Sequence, residues 1–429
     1  MESLARRVLA AFVGLWTTFS LALLFIACNP ASGLGGSADA WLETARLDLA
    51  EARPGDAHDA YAEALLVDPV HPEAAFGLAL TDLLLLPEGD AGAALLAELG
   101  LKKLDVEADL LGADGLLAEL AAGLEDDLLE ARTRSLLGLP AERSSGTSGT
   151  AEWLRGLPAT TTAASLAARA GDLAKALGPV ARWLEVAAGD PALRFEIPGS
   201  LLHLSTDIIC GPPEAAALAA LIRTTRAALS TVASYRWPTH SLRGLGQATG
   251  EELAVELSAV VARTRAPIGD LGTVRADLRH GLDDARHALA RGQDVRRAEP
   301  GRVFAWDLIS PADADRIGEF LGAMARALNG PAKLPDTEPP TEVNLDLLLR
   351  QAPAPPRDIP AFEASSEGEP SLRSGFWETL LAEAGAAEPP VLLGSEPSPH
   401  VFSGGVPADG LLDRWLDPLM LVLETDLGL

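Results

Sequence analysis

Basic residues are scarce in this chain of 429 residues, and their scarcity excludes several classes of partner. Lysine and arginine together number 34 against 61 aspartates and glutamates, so the formal net charge is −27. Nucleic acid requires a cationic surface that offsets its phosphates. We therefore expect no nucleic-acid partner. The same negative charge disfavours adhesion to an anionic lipid surface, so attachment to a membrane would need an inserted or covalent group.

Motifs for phosphate binding and nucleophilic catalysis are also missing. The chain has four lysines, and none belongs to a Gly-rich phosphate loop that ends in Lys-Ser or Lys-Thr. No Gly-x-Ser-x-Gly elbow occurs. Paired carboxylates are so plentiful that no single pair points to acid–base chemistry. The sequence therefore predicts no cofactor and no catalytic residue.

The most apolar part of the chain is its beginning. Arg6 and Arg7 precede twenty uncharged residues, Val8 to Ala27, and Cys28 follows. A short basic start, an apolar core and a small residue before a cleavage site are typical of a secretory signal peptide. A run of this length can also span a bilayer as an uncleaved helix. Both interpretations attach the remaining chain to a membrane.

The residues around Cys28 resemble the lipobox of bacterial lipoproteins. Ile26, Ala27 and Cys28 fit that motif, whereas Phe25 stands where the family prefers leucine. The resemblance implies a signal peptide over residues 1–27, a diacylglyceryl thioether on Cys28, and acylation of the new amine by a fatty acid such as palmitate. Residues 28–38 are small and uncharged, and we expect them to form a flexible tether.

The same resemblance implies a location. Asn29, and not aspartate, follows the cysteine, which in the lipoprotein family implies delivery to the outer membrane, facing the periplasm. The alternative is an inner-membrane protein that keeps an uncleaved N-terminal helix. With Cys28 in the anchor, Cys210 is the remaining thiol, which makes no intramolecular disulfide and no zinc site. Its apolar neighbours Ile208 and Ile209 predict that Cys210 is buried.

A self-comparison at a spacing of 34 residues shows an internal repeat near the N-terminus. The segments that start at Trp41 and Ala75 share identical residues at eight positions. Each unit reads as a helix, a Gly-Asp turn and a second helix, with Asp56 and Asp90 placed to cap helix starts. Prolines predict the breaks between the helices.

The period and its residues resemble tetratricopeptide (TPR) repeats. The first unit carries most of the family's signature residues: Trp41, Ala45, Ala60, Tyr61, Ala64 and Pro69. The second unit lacks the tryptophan and the closing proline, and residues 103–129 would hold a degenerate third unit. The resemblance implies TPR-like repeats over residues 39–130, whose concave face binds a peptide or partner helix. Tyr61 and Phe76 are candidate partner-binding residues, or else belong to the core between the helices.

Beyond the two clear repeat units the chain stays rich in helical patterns without a recognisable period. Apolar stripes at three- and four-residue steps predict helices over residues 105–122, 163–188, 213–234, 251–263, 272–291 and 311–328. Gly178-Pro179 predicts a break in the second of these. Residues 131–330 would form an irregular helical body. Residues 331–429 are rich in proline and would add short elements and two docked helices, at 374–387 and 408–423.

One predicted helix of the body carries residues at a metal-ligand spacing. His280, Asp284 and His287 follow each other at steps of four and three, which places them on one helical face. No fourth ligand can be named. The alternative is a solvated face of mixed charge, formed with the neighbouring arginines and aspartates.

These patterns together predict an all-α lipoprotein of a Gram-negative-type envelope. The favoured function is a non-catalytic scaffold or adaptor that holds another envelope protein near the membrane. The alternative is a helical ligand-binding protein or enzyme with a pocket in residues 160–330. An open concave face on residues 39–130 would favour the adaptor. A closed polar pocket around His280, Asp284 and His287, or around Trp306, would favour the alternative.

Overall fold

The structure is a computed structural model that describes a large part of the chain beyond the leader. The described residues are 37–106, 111, 149–197, 208–248, 250–267, 271–295, 309–335, 342–350, 352, 354–355, 360–364, 370–372 and 402–403. The predictions for the leader, Cys28, most of the tether, most of the third repeat unit, Trp306 and both C-terminal helices lie outside these residues.

Helices dominate the described residues, so the chain has the all-α fold that the sequence predicts. In chain order they are α1 (Ala38–Ala50), α2 (Pro54–Val67), α3 (Pro72–Leu84), α4 (Asp90–Glu98), α5 (Gly149–Gly156), α6 (Ala163–Gly189), α7 (Pro212–Ser234), α8 (Gly250–Arg263), α9 (Gly272–Val295), α10 (Pro311–Ala327) and α11 (Leu345–Arg350), with a 3₁₀ helix at Arg243–Gln247. The strands have two or three residues each: β1 (Phe195–Ile197), β2 (Ile208–Cys210), β3 (Ala332–Lys333), β4 (Glu342–Val343), β5 (Phe362–Ala364), β6 (Pro370–Leu372) and β7 (Phe402–Ser403).

The first two helices form a hairpin, and three connecting residues make it antiparallel. Ser37 caps α1 through its side-chain oxygen, which accepts a backbone N–H three residues further on. At the turn, Arg53 contacts Asp48 at 2.5 Å and Asp56 at 3.0 Å. Asp56 lies in the first turn of α2, as predicted, but the helix begins at Pro54 without a side-chain cap, and Asp56 pairs with Arg53.

Helix starts and ends elsewhere follow the prolines, as predicted. Proline has no N–H to donate and therefore suits the first turn of a helix. α2 ends at Val67, ahead of Asp68-Pro69, and α3 begins at Pro72. α10 begins at Pro311, where Ser310 accepts a hydrogen bond of 3.1 Å from the backbone N–H of Asp313.

Pro179 is the exception, because α6, which is 27 residues long, continues through it without a break. The predicted break at this position is wrong. An interior proline costs about 3 kcal/mol, whereas fully burying a leucine such as Leu177 or Leu184 contributes roughly 1.5–3 kcal/mol. Both leucines are buried. In addition, Arg226 of α7 donates a hydrogen bond of 3.1 Å to the carbonyl of Ala174, one turn before the proline. Packing on the neighbouring helices therefore outweighs the local signal.

An aromatic cluster lies at the centre of the N-terminal core. Tyr61 of α2 lies over Gly77 of α3, where a Cβ atom would be 2.3 Å from the ring. The ring of Phe195 contacts those of Tyr61 and Phe76, with centroids 6.2 and 5.0 Å apart. Phe195 belongs to the antiparallel pair β1–β2, in which it lies opposite Cys210. Cys210 is buried, as its apolar neighbours predict.

The second helix pair differs from the first. α3 is buried along nearly its whole length, between α2 and the long helix α6. α4 packs against α6 and has at most marginal contact with α3. In a stack of helix pairs, this side of α3 would contact the next pair or a bound partner. Here the chain's own helix α6 covers it.

The remaining helices build on α6. α7 packs between α6 and α9, and α10 packs on the far side of α9. One hydrophobic core runs from α1–α3 through α6 and α7 to α9 and α10. A smaller core joins α5, the 3₁₀ helix and α8. The described C-terminal residues add a sheet of order β3-β4-β7, the pair β5–β6, and α11 against α9. Within the described ranges, we find no helix with the length and apolar character needed to cross a bilayer.

Candidate functional site

The three residues at metal-ligand spacing all lie on α9, but they do not point at one site. Asp284 faces α7, where its carboxylate lies 2.8 Å from the Nε of Arg223. The Nδ1 of His280 lies 3.2 Å from another nitrogen of the same guanidinium. His287 faces α10 instead. The cation between His280 and Asp284 is therefore an arginine of the chain, and the described residues contain no cluster that could hold a metal ion.

Arg223 is the centre of an ionic network that joins three helices. Its side chain is 7% exposed, and it contacts Glu185 of α6 at 2.5 Å as well as Asp284 of α9. Burial raises the pKa of Asp284 above its ordinary value, and the charge of Arg223 opposes that shift. A buried charge is costly without a partner. The network therefore stabilises one arrangement of α6, α7 and α9.

A second ion pair lies two turns away in the same layer. Arg226 of α7 contacts the buried carboxylate of Asp277 at 3.1 Å. Between the two pairs, Gly281 lets α9 approach α7 closely, since a Cβ there would be 3.3 Å from the carbonyl of Ala220. The alternative interpretation was that this face of α9 is solvated and mixed in charge. It is correct for His280, which is exposed, and wrong for Asp277, which is buried.

The sequence contains a signal for this network that our motif search missed. Asp277 and Asp284 are seven residues apart on α9, and Gly281 lies between them on the same face. Arg223 and Arg226 interrupt an otherwise apolar stripe of α7. Opposite charges that interrupt the apolar faces of two neighbouring helices indicate buried pairs.

A large open groove lies between α9 and α10. Its volume is about 940 Å³. The two helices run in opposite directions along it, because Arg286 lies near Gly322 while Gln293 donates to the carbonyl of Ile309 at 3.4 Å. Charged residues of both signs line it: Asp283, Arg286, Asp315, Glu319, Arg326 and Lys333. We call this cavity the α9–α10 groove.

The charges of the α9–α10 groove are unevenly distributed along its length. At one end, a Cβ built on Gly322 would lie 3.5 Å from a terminal nitrogen of Arg326 and 3.9 Å from the guanidinium carbon of Arg286. Lys333 lines the groove after the end of α10. Asp315 lies near the start of α10, and Glu319 lies at its middle, one turn before Gly322. The groove thus has a predominantly cationic end, where Asp283 lies beside Arg286 among the lining residues, and an acidic part toward the start of α10.

Tyr61 and Phe76, the candidate partner-binding residues of the repeats, are both fully buried. The structure therefore places them in the core, which was the second of the two possibilities, and neither is accessible to a partner. Burial also raises the pKa of the Tyr61 phenol, so this group stays neutral. The exposed apolar side chains of the repeats lie instead near the α2–α3 connection, where Leu66 and Val70 are 75% and 72% exposed.

Comparisons with protein-family models, with curated proteins and with solved structures find no significant match to this chain.

Proposed function

We propose that this protein is a lipid-anchored envelope protein that acts as a non-catalytic adaptor and holds a segment of a partner protein in the α9–α10 groove. The observation that carries the proposal is the groove itself, which is open to solvent, about 940 Å³ in volume and charged along its length. Stacked helix pairs commonly bind a peptide on their concave face. Here α6 covers α3, so we assign peptide binding to the α9–α10 groove.

The length of the groove suits an extended peptide. Its lining on α10 runs from Ala314 to Arg326, twelve steps of the helix, which span about 18 Å. An extended chain of about five or six residues has that length. Small-molecule sites, in contrast, enclose most of the ligand surface. An open groove with charges of both signs distributed along it fits a peptide segment better.

The non-catalytic part of the proposal rests on how the reactive groups of the described residues are used. Cys210 is packed in the core beside Phe195. Asp284 and Asp277 form ion pairs with buried or half-buried arginines. These groups hold helices together, and a catalytic acid, base or nucleophile has to reach its substrate.

The anchor is a separate part of the proposal. Residue Cys28 would carry the lipid, and the nine residues that follow it lead directly to α1, which begins at Ala38. Such a tether lets the helical body sample a shell within a few nanometres of the membrane. Metabolic labelling with an alkyne fatty acid should mark the wild-type protein and leave the Cys28→Ala variant unmarked. Equal labelling of the two would contradict lipidation at Cys28.

The groove also supports a second candidate function, a carrier of a small ligand. The groove lies largely in residues 160–330, where the alternative interpretation placed a pocket, and two arginines meet in it. A carrier would bind a small anion without any envelope partner. The experiment that follows separates these two functions.

A groove-filling substitution tests the adaptor directly. Gly318 lies in the groove wall, and a Cβ there has no atom within 4 Å, so Gly318→Trp fills the groove without a backbone clash. Gly156→Trp is the matched control, because Gly156 has equal space and lies at the end of α5, outside the groove. Affinity capture from detergent-extracted membranes should recover an envelope partner with wild type and Gly156→Trp, and lose it with Gly318→Trp.

Two results would count against this proposal. Recovery of no reproducible envelope partner with wild type would contradict the adaptor function. Equal recovery with Gly318→Trp would show that the partner does not bind in the groove. The double variant Leu66→Ser/Val70→Ser would then test whether the exposed apolar residues of the repeats bind it instead.

A further inference from the structure

The cationic end of the α9–α10 groove brings two arginines together across Gly322, with one lining carboxylate, Asp283, beside Arg286. The guanidinium groups of Arg286 and Arg326 both lie within 4 Å of one point above Gly322. Asp283 is 3.9 Å from Arg286, one helical turn away on the same exposed helix face. Within the described part of the chain, Arg326 forms no ion pair.

This arrangement is unusual for a chain with so many carboxylates. Acidic residues outnumber basic ones by 61 to 34. Elsewhere a single arginine such as Arg53 contacts three carboxylates, those of Asp48, Glu51 and Asp56. Arg326 lies in the last turn of α10, where a cation favourably offsets the helix dipole. That role does not require Arg286 beside it, so the pair needs another explanation.

We infer that Arg286 and Arg326 form an anion subsite that binds a carboxylate of the peptide segment held in the groove. Guanidinium groups bind carboxylates through two parallel, charge-assisted hydrogen bonds, which are among the strongest in proteins. Lys333 adds a third positive charge to the lining, against the one carboxylate of Asp283 at this end, while Asp315 and Glu319 repel an anion from the part of the groove nearer the start of α10. The subsite therefore fixes both the position and the direction of an acidic segment. The inference rests on the proposed function.

Binding of a labelled acidic peptide to the full-length protein in detergent tests the subsite. The probe is a dodecapeptide of alternating alanine and glutamate, and the matched probe has glutamine at every glutamate. The net charge of −27 repels the acidic probe, so a preference for it must arise locally. We expect the dissociation constant of the glutamate peptide to be at least about tenfold lower than that of the glutamine peptide. This ratio corresponds to a difference of about 1.4 kcal/mol in binding free energy.

Substitutions locate the effect. Arg286→Gln and Arg326→Gln should each weaken binding of the glutamate peptide about tenfold. Both residues are exposed, so these changes leave the core intact. Arg279→Gln removes an exposed charge from the same helix outside the groove, and should change binding less than about twofold. Equal binding of the two peptides, or an equal loss with Arg279→Gln, would overturn the subsite.

The remaining outcomes separate the subsite from the adaptor. If inorganic phosphate protects Arg286 and Arg326 from phenylglyoxal while the glutamate peptide does not, the assignment to a carboxylate is wrong. Specific binding of the glutamate peptide without any recoverable envelope partner would support the anion subsite and contradict the adaptor function. An envelope partner that still binds the double variant Arg286→Gln/Arg326→Gln as tightly as wild type would keep the adaptor and contradict the subsite.

Discussion

The α2–α3 and α7–α9 interfaces are both closed at a glycine, but with opposite chemistry. At Gly77 the neighbour is the buried ring of Tyr61, and the contact continues into Phe195. At Gly281 the neighbours are the backbone and side chain of α7 beside Arg223, and ion pairs flank the contact. The first interface depends on shape and the second on charge, so different substitutions should break them.

The largest effect is expected when the charged interface loses its central cation. Arg223→Met keeps the side-chain length but leaves Asp284 facing α7 without a counter-charge. Breaking a buried ion pair in this way costs about 3 kcal/mol or more, which denaturant unfolding followed by circular dichroism can measure. Adding Asp284→Leu should recover much of the loss. Arg169→Met, which breaks a surface pair with Asp172, is the control and should cost less than about 1 kcal/mol.

The apolar interface should fail when its glycine gains a methyl group. In Gly77→Ala the new Cβ would lie 2.3 Å from a Tyr61 ring that is buried and cannot move aside. Overpacking of this kind costs about 1–3 kcal/mol. The same change at Gly55 of α2 meets no atom within 4 Å and should stabilise the protein by about 0.5–1 kcal/mol. A Gly77→Ala protein as stable as wild type would show that the two helices can separate without loss.

The corresponding change in the charged interface should have a much smaller effect. A Cβ at Gly281 would have its nearest neighbours at 3.3 Å, which small shifts can accommodate. The gain in helix propensity, about 1 kcal/mol from glycine to alanine, opposes the mild crowding. We expect Gly281→Ala to stay within about 1 kcal/mol of wild type in the same unfolding experiment. A loss as large as that of Gly77→Ala would remove the distinction between the interfaces.

The smallest effect concerns pH and the one histidine pair that we find at the edge of the α2–α3 interface. His58 lies 3.1 Å from the carboxylate of Asp82, and this hydrogen bond raises the pKa of His58 above its ordinary value of 6.5. A raised folded-state pKa means that the pair stabilises the protein below pH 6.5 and loses this contribution as the pH rises through the folded-state pKa.

The pH dependence has a direct control. Between pH 6 and pH 8 the free energy of unfolding should fall more in the wild type than in His58→Gln. The difference between the two decreases should be less than about 1 kcal/mol, since the pair is partly exposed. Thermal unfolding at several pH values measures the difference. A wild-type protein whose stability rises relative to His58→Gln over this range would contradict the assigned sign.

These interfaces also explain how much the sequence predicts. Prolines and apolar stripes fix where α7, α8 and α10 begin and end within a residue or two, because those signals are local. Pro179 misled because the packing that keeps α6 continuous comes from α3 and α7, which are distant in sequence. The position of Tyr61 in the core and the pairing of Asp284 with Arg223 also depend on such contacts, so one helix pattern alone does not settle them.

The candidate site illustrates the same limit. The steps between His280, Asp284 and His287 place them correctly on one helix, yet the neighbours of α9 divide them between α7 and α10. The α9–α10 groove has no sequence motif, because it arises from charges on two helices and one strand. Opposite charges that interrupt apolar stripes are the pattern that would have revealed the buried part of this layer.

Photocrosslinking in cells tests the proposed function most directly. A benzophenone amino acid at Ala290, an exposed residue of the groove, should crosslink to an envelope protein. The same group at Ala276, exposed on α9 but outside the groove, should not. We expect one adduct that appears with the benzophenone at position 290 and disappears when Gly318→Trp is added. No adduct at Ala290, or an equal adduct at both positions, would contradict the binding of a partner in the groove.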